Sequence, residues 1–577
     1  MISIFNKAKH IRLVSFRKLG IGLICLSLGL GSCDNMLESD STRQIFGGDL
    51  TSKTDSIFFA FGIMQGMQQL ADQYVFQGEL RGDNVSTTLY TDNDLRQLYD
   101  FSATAANQYD SAFVYYRVIN NCNYYLAHRD TTLLTGSTNV VMHEYAAVKA
   151  FRAWAYLQLA RNYGSVPFFT EPLTSISQIN GNDFPSLDIK GLVDRLAPDL
   201  EQYSGYSVPN NGGQQKAINT ALCYIPVDVI LGELYLESGD FAKAALHYTT
   251  YVTSVSKPVG TRYAELISAP YQPRTYAEML ARPNDMIISN NGSDWNRIFS
   301  SNSTQDIITY IPMAVNRLQG TTTSIPLAFG YNYYSTVRSN NEQYVDEIQL
   351  EPSMPLKTLS DSTTYYYYQN VIGGLPQQYV NSAPLGDQRL RSVTRRGTDE
   401  DSTKVWIEKY NNGNVILFRN TTVYLHLAEA LNRLGHPDLA FAILKEGITE
   451  QLLDSTRTYV TKESKDMLQT VYPFLSSANV SLFPAQTNSN NSSTNWGIHQ
   501  HGAGITGDGN YPGRSGYQFD AVVGKKINEI NEAFNLTIGT SAQDTLNAKI
   551  NAMEDLLCDE YQLEFAFEGT RWYDLMR

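Results

Sequence analysis

The sequence predicts a mostly α-helical protein: a scaffold of paired helices carrying large irregular, loop-rich insertions. Three observations predict it. Long stretches repeat small and apolar residues at helical spacing, as in Ala146, Ala150, Ala153, Leu157 and Ala160. Two segments far apart in the chain share one helix–glycine–helix pattern. Between and after them lie blocks rich in Asn, Ser, Thr, Gly and Tyr with poor helical periodicity.

The chain has 577 residues, 42% hydrophobic and 18% charged. That length exceeds the size at which a single core stops growing. Its aromatics are dominated by tyrosine, 38 against 24 Phe and 5 Trp, a bias that suits half-buried surfaces and interfaces as well as helix packing.

Residues 1–32 read as a signal peptide. Lys7, Lys9, Arg12, Arg17 and Lys18 precede an apolar run from Leu19 to Leu30, which is too short to span a bilayer. The run leads into Leu30-Gly31-Ser32-Cys33, which resembles the bacterial lipobox. The alternative is an ordinary signal peptide beside an incidental cysteine. With a lipobox, Cys33 becomes the lipidated N-terminus, and more than one acyl chain gives stable anchoring. Residues 33–57 then form a polar tether, with Asp34, Glu38 and Asp40 close behind the cysteine as in surface-exported lipoproteins of Bacteroidota-type bacteria.

Removing the five basic residues of the signal from the total of 44 leaves 39 Lys and Arg against 58 Asp and Glu, net −19. Such acidity argues against nucleic acid as a partner. Cys122, Cys223 and Cys558 are too scattered for a disulfide framework or a metal motif.

Residues 58–257 read as an N-terminal helical region. His143–Phe168 is a helix ended by Gly164 and blocked by Pro167. Ile225–Val252 reads as two helices joined at Ser238–Asp240, and 423–448 as two more joined at Gly435–Pro437. Glu233 aligns with Glu429, Gly239 with Gly435 and Ala244 with Ala440. With Leu231, Gly232 and Tyr235, the pattern resembles the tetratricopeptide helix-turn-helix, here in few and non-contiguous copies. Residues 258–415 form a loop-rich ligand-binding insertion, residues 485–520 share its composition, and 416–577 form the C-terminal region.

The candidate chemistry is sparse. His499 and His501 could ligate zinc on a strand, but no third ligand is apparent, and they read as loop histidines. Asp508 and Asn510 match a fragment of a calcium loop without its closing Glu. No cofactor motif is present. Glu79, Arg81, Asp83 and Asn84 cluster in "ELRGDN", either as a ligand grip or as an internal ion pair fixing a turn at Gly82. Trp295, Tyr310, Tyr331, Tyr333 and Tyr334 have the local pattern of sugar contacts: a ring to stack on the apolar face of a sugar and polar neighbours for its hydroxyls. For each alone, loop self-packing is the competing reading.

The chain ends in "LEFAFEGTRWYDLMR". Glu564 and Glu568 are four apart, a spacing that puts two carboxylates on one helix face. Leu546, Ile550, Met553, Leu557 and Tyr561 predict a long amphipathic helix upstream. The terminal stretch then reads as a structural clasp, with a Glu568–Arg571 pair if the helix persists past Gly569, and Phe567 and Trp572 packing at its end.

Taken with Cys33, "ELRGDN", "VINNCNYYL", "AFRAWAYLQLARNYGSVPF", the helix pairs and "GIHQHGAG", this terminal motif resembles the RagB/SusD lipoproteins of Bacteroidota, in order along nearly the whole mature chain. The resemblance implies a SusD-like, mostly α fold and no catalysis. It implies a lipid-anchored outer-membrane protein facing the cell exterior, which binds oligosaccharide (peptide in some RagB-type members) and lies as a lid on a SusC-like TonB-dependent transporter. A glycoside hydrolase lipoprotein is the enzymatic alternative; it needs two carboxylates facing a cleft. The family's ligand residues vary and do not transfer.

Overall fold

The computed structural model describes residues 56–254, 306–331, 345–370, 378–473, 497–504 and 516–577, apart from short breaks within them, and a few isolated positions. The chain divides into Met1–Leu50 and Thr51–Arg577, and the second unit holds the described helices and strands.

Its helical frame begins with α1 (Ser56–Leu80). After strand β1 (Val85–Thr87) come α2 (Asn93–Tyr99), α3 (Ala112–His128), α4 (Val141–Tyr163) and α5 (Ile189–Glu201). Helix α4 is buried on every side from Ala146 to Arg161. Its alanines let neighbours approach closely, and it packs between α3 and α5. Its charged residues turn to fixed partners: Lys149 and Arg152 to Asp199, Arg161 to Glu233 and Glu237.

The two aligned segments form matching helix pairs. Helices α6 (Val227–Ser238) and α7 (Phe241–Thr253) make one, and α9 (Asn420–Arg433) and α10 (Pro437–Glu446) the other, with α7 packed on α9. Gly239 (φ +83°) and Gly435 (φ +95°) take the left-handed turn. Each turn closes with the same two backbone bonds, Gly239 N to Leu236 O with Asp240 N to Tyr235 O, and Gly435 N to Asn432 O with His436 N to Leu431 O. Gly232 faces Tyr248 so closely that a Cβ there would lie 2.4 Å from the ring. The aligned glutamates are both buried and ion-paired, Glu233 to Arg161 and Glu429 to Arg577. The tetratricopeptide-like pairing read from the sequence is therefore present in geometry.

Within 258–415, the described residues are less loop-like than the composition suggests. They hold β2 (Ile307–Ile311), β3 (Leu350–Pro352), α8 (Met354–Ser362), a hairpin of β4 (Tyr365–Asn370) and β5 (Gln378–Ala383), and a second antiparallel pair, β6 (Thr394–Arg396) with β7 (Val405–Ile407). Strand β3 pairs antiparallel with β1 in the register Val85↔Pro352 and Thr87↔Leu350. Strand β2 pairs antiparallel with β8 (Val415–Arg419), bringing together two segments far apart in the chain. The sequence did not reveal β1, β2, β3 and β8 because each is completed by a distant partner, and the others are short.

Helix α11 (Phe519–Phe534) lies on α12 (Ala542–Glu564), which buries Met553, Leu557 and Tyr561 as the amphipathic pattern predicts. A turn with Phe567 at φ +71° and Gly569 at φ +86° ends it, and α13 (Arg571–Met576) follows. Among the described residues, no helix is long and apolar enough to cross a membrane.

Candidate functional site

The terminal glutamates are the first candidates for chemistry. Because α12 stops at Glu564, Glu564 and Glu568 do not share a helix face, but tertiary folding brings them together. Arg419, fully buried at the end of β8, donates from Nε to Glu568 (3.0 Å) and from Nη1 to Asp306 (2.8 Å) and Glu564 (3.0 Å). Arg389 bridges Asp387, Glu560 and Glu564. Lys409 donates to Glu568 Oε1 (2.7 Å) and to the Ala566 carbonyl. Burial would raise the Glu564 carboxyl, but His501 and Arg419 beside it hold it well below the usual range. Every carboxylate here is enclosed and bonded to a cation, so none faces a substrate cleft. The stretch is a clasp, as its sequence suggested. The expected Glu568–Arg571 pair is replaced by Glu568 with Lys409 and Arg419, and Arg571 with Asp83.

His499 and His501 belong to this network rather than to a loop. They lie at a short helix, Gln500–Ala503, that turns both rings inward: Nδ1 of His499 donates to Glu560 (2.7 Å) and Nδ1 of His501 to Glu564 (3.0 Å). Their i, i+2 spacing reflects two carboxylates four apart on α12. Among the described residues, no group of His, Cys, Asp and Glu is placed to hold a metal ion.

"ELRGDN" closes the same clasp from the other end of the chain. Glu79 accepts the N–H of Phe567 (3.2 Å) and of Gly569 (2.6 Å), and Asp83 pairs with Arg571. Arg81 reaches Asp110 (3.2 Å) and Asn162 (3.0 Å), and Asn84, fully buried, donates to Glu79 (3.1 Å). The structure thus gives Arg81, Asp83 and Asn84 internal partners, the ion-pair alternative read from the sequence. Tyr310 sits inside the β2–β8 ladder at 1% exposure and presents no face to a ligand. Tyr331 is half-buried, next to Gly330, whose carbonyl accepts the Val345 N–H. Trp295, Tyr333, Tyr334, Asp508, Asn510 and Cys33 lie outside the described residues.

Ser464, His436 and Asp438 also meet, but Asp438 accepts from the Ser464 and Thr461 hydroxyls rather than from His436. The hydrogen bonds are those of a helix N-terminus, where Thr461 caps the helix through the Ser464 N–H.

The strongest open feature is the turn Thr88–Asp92 between β1 and α2. It carries Leu89 at 96% and Tyr90 at 56% exposure. Its backbone is over-determined. Thr88 N and the Thr91 hydroxyl donate to Gln349 O, and the Thr88 hydroxyl donates to Ile348 O. Asp92 N donates to Gln349 Oε1 (3.0 Å), and Arg96 Nη2 donates to Thr88 O (2.8 Å). Asp92 then caps α2 through Asp94 N (2.8 Å). A rigid turn thus displays an aromatic and an aliphatic side chain beside exposed Asp92 and Asn93. Sequence reading passed over "TTLYTDN" because its bracing partner, residues 348–349, lies some 260 positions away.

No protein-family model matches this chain, and no curated protein does. Solved structures do. The fold is similar to that of SusD-superfamily proteins. A SusD superfamily protein from Bacteroides thetaiotaomicron is 14% identical, with a TM-score of 0.48 over 90% of this chain and 88% of its own. A SusD-like carbohydrate binding protein from Bacteroides fragilis is 14% identical (TM-score 0.49; 91% and 86% covered). Surface glycan-binding protein A from Bacteroides fluxus is 13% identical (TM-score 0.48; 91% and 89% covered).

Proposed function

We propose that this protein is a cell-surface glycan-binding lipoprotein. Anchored through Cys33 in the outer membrane, it captures oligosaccharide or polysaccharide without cleaving it and delivers it to a SusC-like TonB-dependent transporter. The observation that carries the reading is the braced Thr88–Asp92 turn. Tyr90 offers a ring for the apolar face of a sugar, and Asp92 and Asn93 offer polar groups for its hydroxyls. A turn held by hydrogen bonds on both sides is already ordered before the ligand arrives, which lowers the entropy cost of binding. The tyrosine-rich stretch that starts at Tyr331, with Tyr333 and Tyr334, and Trp295 are proposed to complete the site. The lipobox and the terminal motif supply the anchoring and transporter parts of the reading.

A peptide ligand is the second reading. Leu89, aliphatic and almost wholly exposed, fits an apolar peptide side chain better than a sugar ring.

Isothermal titration of the soluble protein against a polysaccharide panel tests the proposal. Tyr90→Ala and Trp295→Ala should each weaken binding about tenfold, the order of one lost aromatic contact, with unchanged thermal unfolding. Glycan affinity unchanged by both substitutions, or release of hydrolysis products, refutes it. Displacement of bound glycan by peptides would show that the two classes share the site. Cys33→Ala should move the protein out of the membrane fraction.

A further inference from the structure

Glu79 is a carboxyl group with no exposure, on the last turn of α1. Oε1 accepts Gly569 N–H, and Oε2 accepts Phe567 N–H and Asn84 Nδ2. The helix and the turn it holds are in close contact: a Cβ on Gly78 would lie 1.8 Å from the Gly569 carbonyl oxygen. The charged and titratable groups around it are few. Lys409 attracts the carboxylate but is already bonded to Glu568 and to Ala566 O. Tyr410, whose hydroxyl donates to Phe567 O, feels the negative charge of Glu79, Glu568 and Asp72 and the neighbouring Tyr74. Arg419 is committed to Asp306, Glu564 and Glu568, and Arg571 to Asp83. Glu79 therefore has no cation bonded directly to it among the described residues.

Its neighbour Asn84 is left half-satisfied. Asn84 Nδ2 donates to Glu79, while the buried Oδ1 of the same amide has no hydrogen-bond partner. A half-turn of that amide exchanges the two atoms. It would place Oδ1 against Glu79 Oε2, about where Nδ2 now stands at 3.1 Å. An oxygen there can be accommodated only if Oε2 carries a proton to donate.

We propose that Glu79 and Asn84 form a proton-operated latch between α1 and the C-terminal turn. With Glu79 ionised, Asn84 donates to it. With Glu79 protonated, the Asn84 amide flips and accepts the proton's hydrogen bond, while Gly569 N–H stays on Oε1. The proton comes from solvent, and no covalent bond between heavy atoms changes. The latch sits at the base of the candidate site, because Asn84 precedes β1, whose far end opens into the Thr88–Asp92 turn.

The cost of the ionised form sets the direction. Burial pushes the Glu79 carboxyl up to about 7, even against its three donors and Lys409. A carboxyl raised in the folded state holds a proton that the unfolded chain has released. Its contribution to stability is therefore greatest below about pH 4.5 and is lost as pH rises towards 7.

Urea denaturation of the soluble mature chain between pH 5 and 8 tests this. In the wild type the folding equilibrium constant should fall with rising pH, by about 100-fold from this group. Glu79→Gln, whose amide can donate to the flipped Asn84 at every pH, should remove most of that fall. Asn84 side-chain amide resonances that change with the same midpoint in the wild type, and not in the variant, would report the flip itself. A pH slope equal in the two proteins overturns the latch, as does an Asn84 amide signal that does not respond to pH. If Glu79→Gln does not fold, hydrogen exchange of residues 565–570 in the wild type decides. Opening that grows from pH 5 to 8 beyond the intrinsic exchange trend supports the latch, and opening that stays flat refutes it.

Discussion

Arg419→Met is the sharpest test of the clasp. The side chain is fully buried and donates to three carboxylates, Asp306 from one part of the chain and Glu564 and Glu568 from another, and to the Glu564 carbonyl. Methionine nearly fills the volume, so the substitution isolates the charge and its hydrogen bonds. The losses are unequal. Glu564 keeps Arg389 and His501, and Glu568 keeps Lys409. Among the described residues, the Asp306 carboxylate keeps only Thr421, a neutral donor. The cost therefore falls mainly on one orphaned buried carboxylate, and removing one partner of a buried pair costs about 3–5 kcal/mol. That is a large part of the ~5–15 kcal/mol by which a folded domain is stable. Urea denaturation at pH 7 gives the single-variant loss, and a cycle with Asp306→Asn locates it. Neutralising Asp306 in the Arg419→Met background should recover at least about 1 kcal/mol relative to additivity. Additive losses, or a single-variant cost below about 1 kcal/mol, would refute the assignment of Arg419 as the counter-charge that makes Asp306 tolerable inside the protein.

Gly78→Ala should destabilise the protein by about 2 kcal/mol or more, because the added methyl meets backbone rather than a yielding side chain; a thermal scan reads it, and a change within about 0.5 kcal/mol would deny the close approach. His426 is buried; desolvation alone would lower it, but Glu233, with help from Asp574, holds its imidazolium up to about 9. Its contribution is thus complete below pH 6.5 and lost as pH rises through 9, on the order of 3 kcal/mol, and His426→Gln should flatten that alkaline decline in denaturation curves.

Much of the frame is legible in the sequence because the signals are local. A helix announces itself by apolar spacing, as along Met553, Leu557 and Tyr561, and a left-handed stop announces itself by glycine, as at Gly239 and Gly435. The reading of residues 1–32 as a signal peptide and the resemblance of the terminal motif rest on patterns that are local in the same sense. The candidate site is legible only in part. Tyrosine-rich composition points towards the loops, but the exposed Leu89 and Tyr90 sit in a stretch that looks ordinary until Gln349 is seen to brace it.

What the sequence determines by itself is therefore the helical class, the two matched pairs and the acidity of the chain. What only the tertiary structure decides is the partner of each charge. "ELRGDN" and the final motif each read as self-contained, with Arg571 expected to find Glu568 three residues away. Instead Arg571 crosses to Asp83, Glu79 takes the amides of Phe567 and Gly569, and Glu568 turns to Lys409 and Arg419. The physical reason is desolvation. A buried charge must be matched by whatever lies within about 3 Å once the chain is compact, and a left-handed turn at Phe567 and Gly569 rotates the nearest sequence neighbour away.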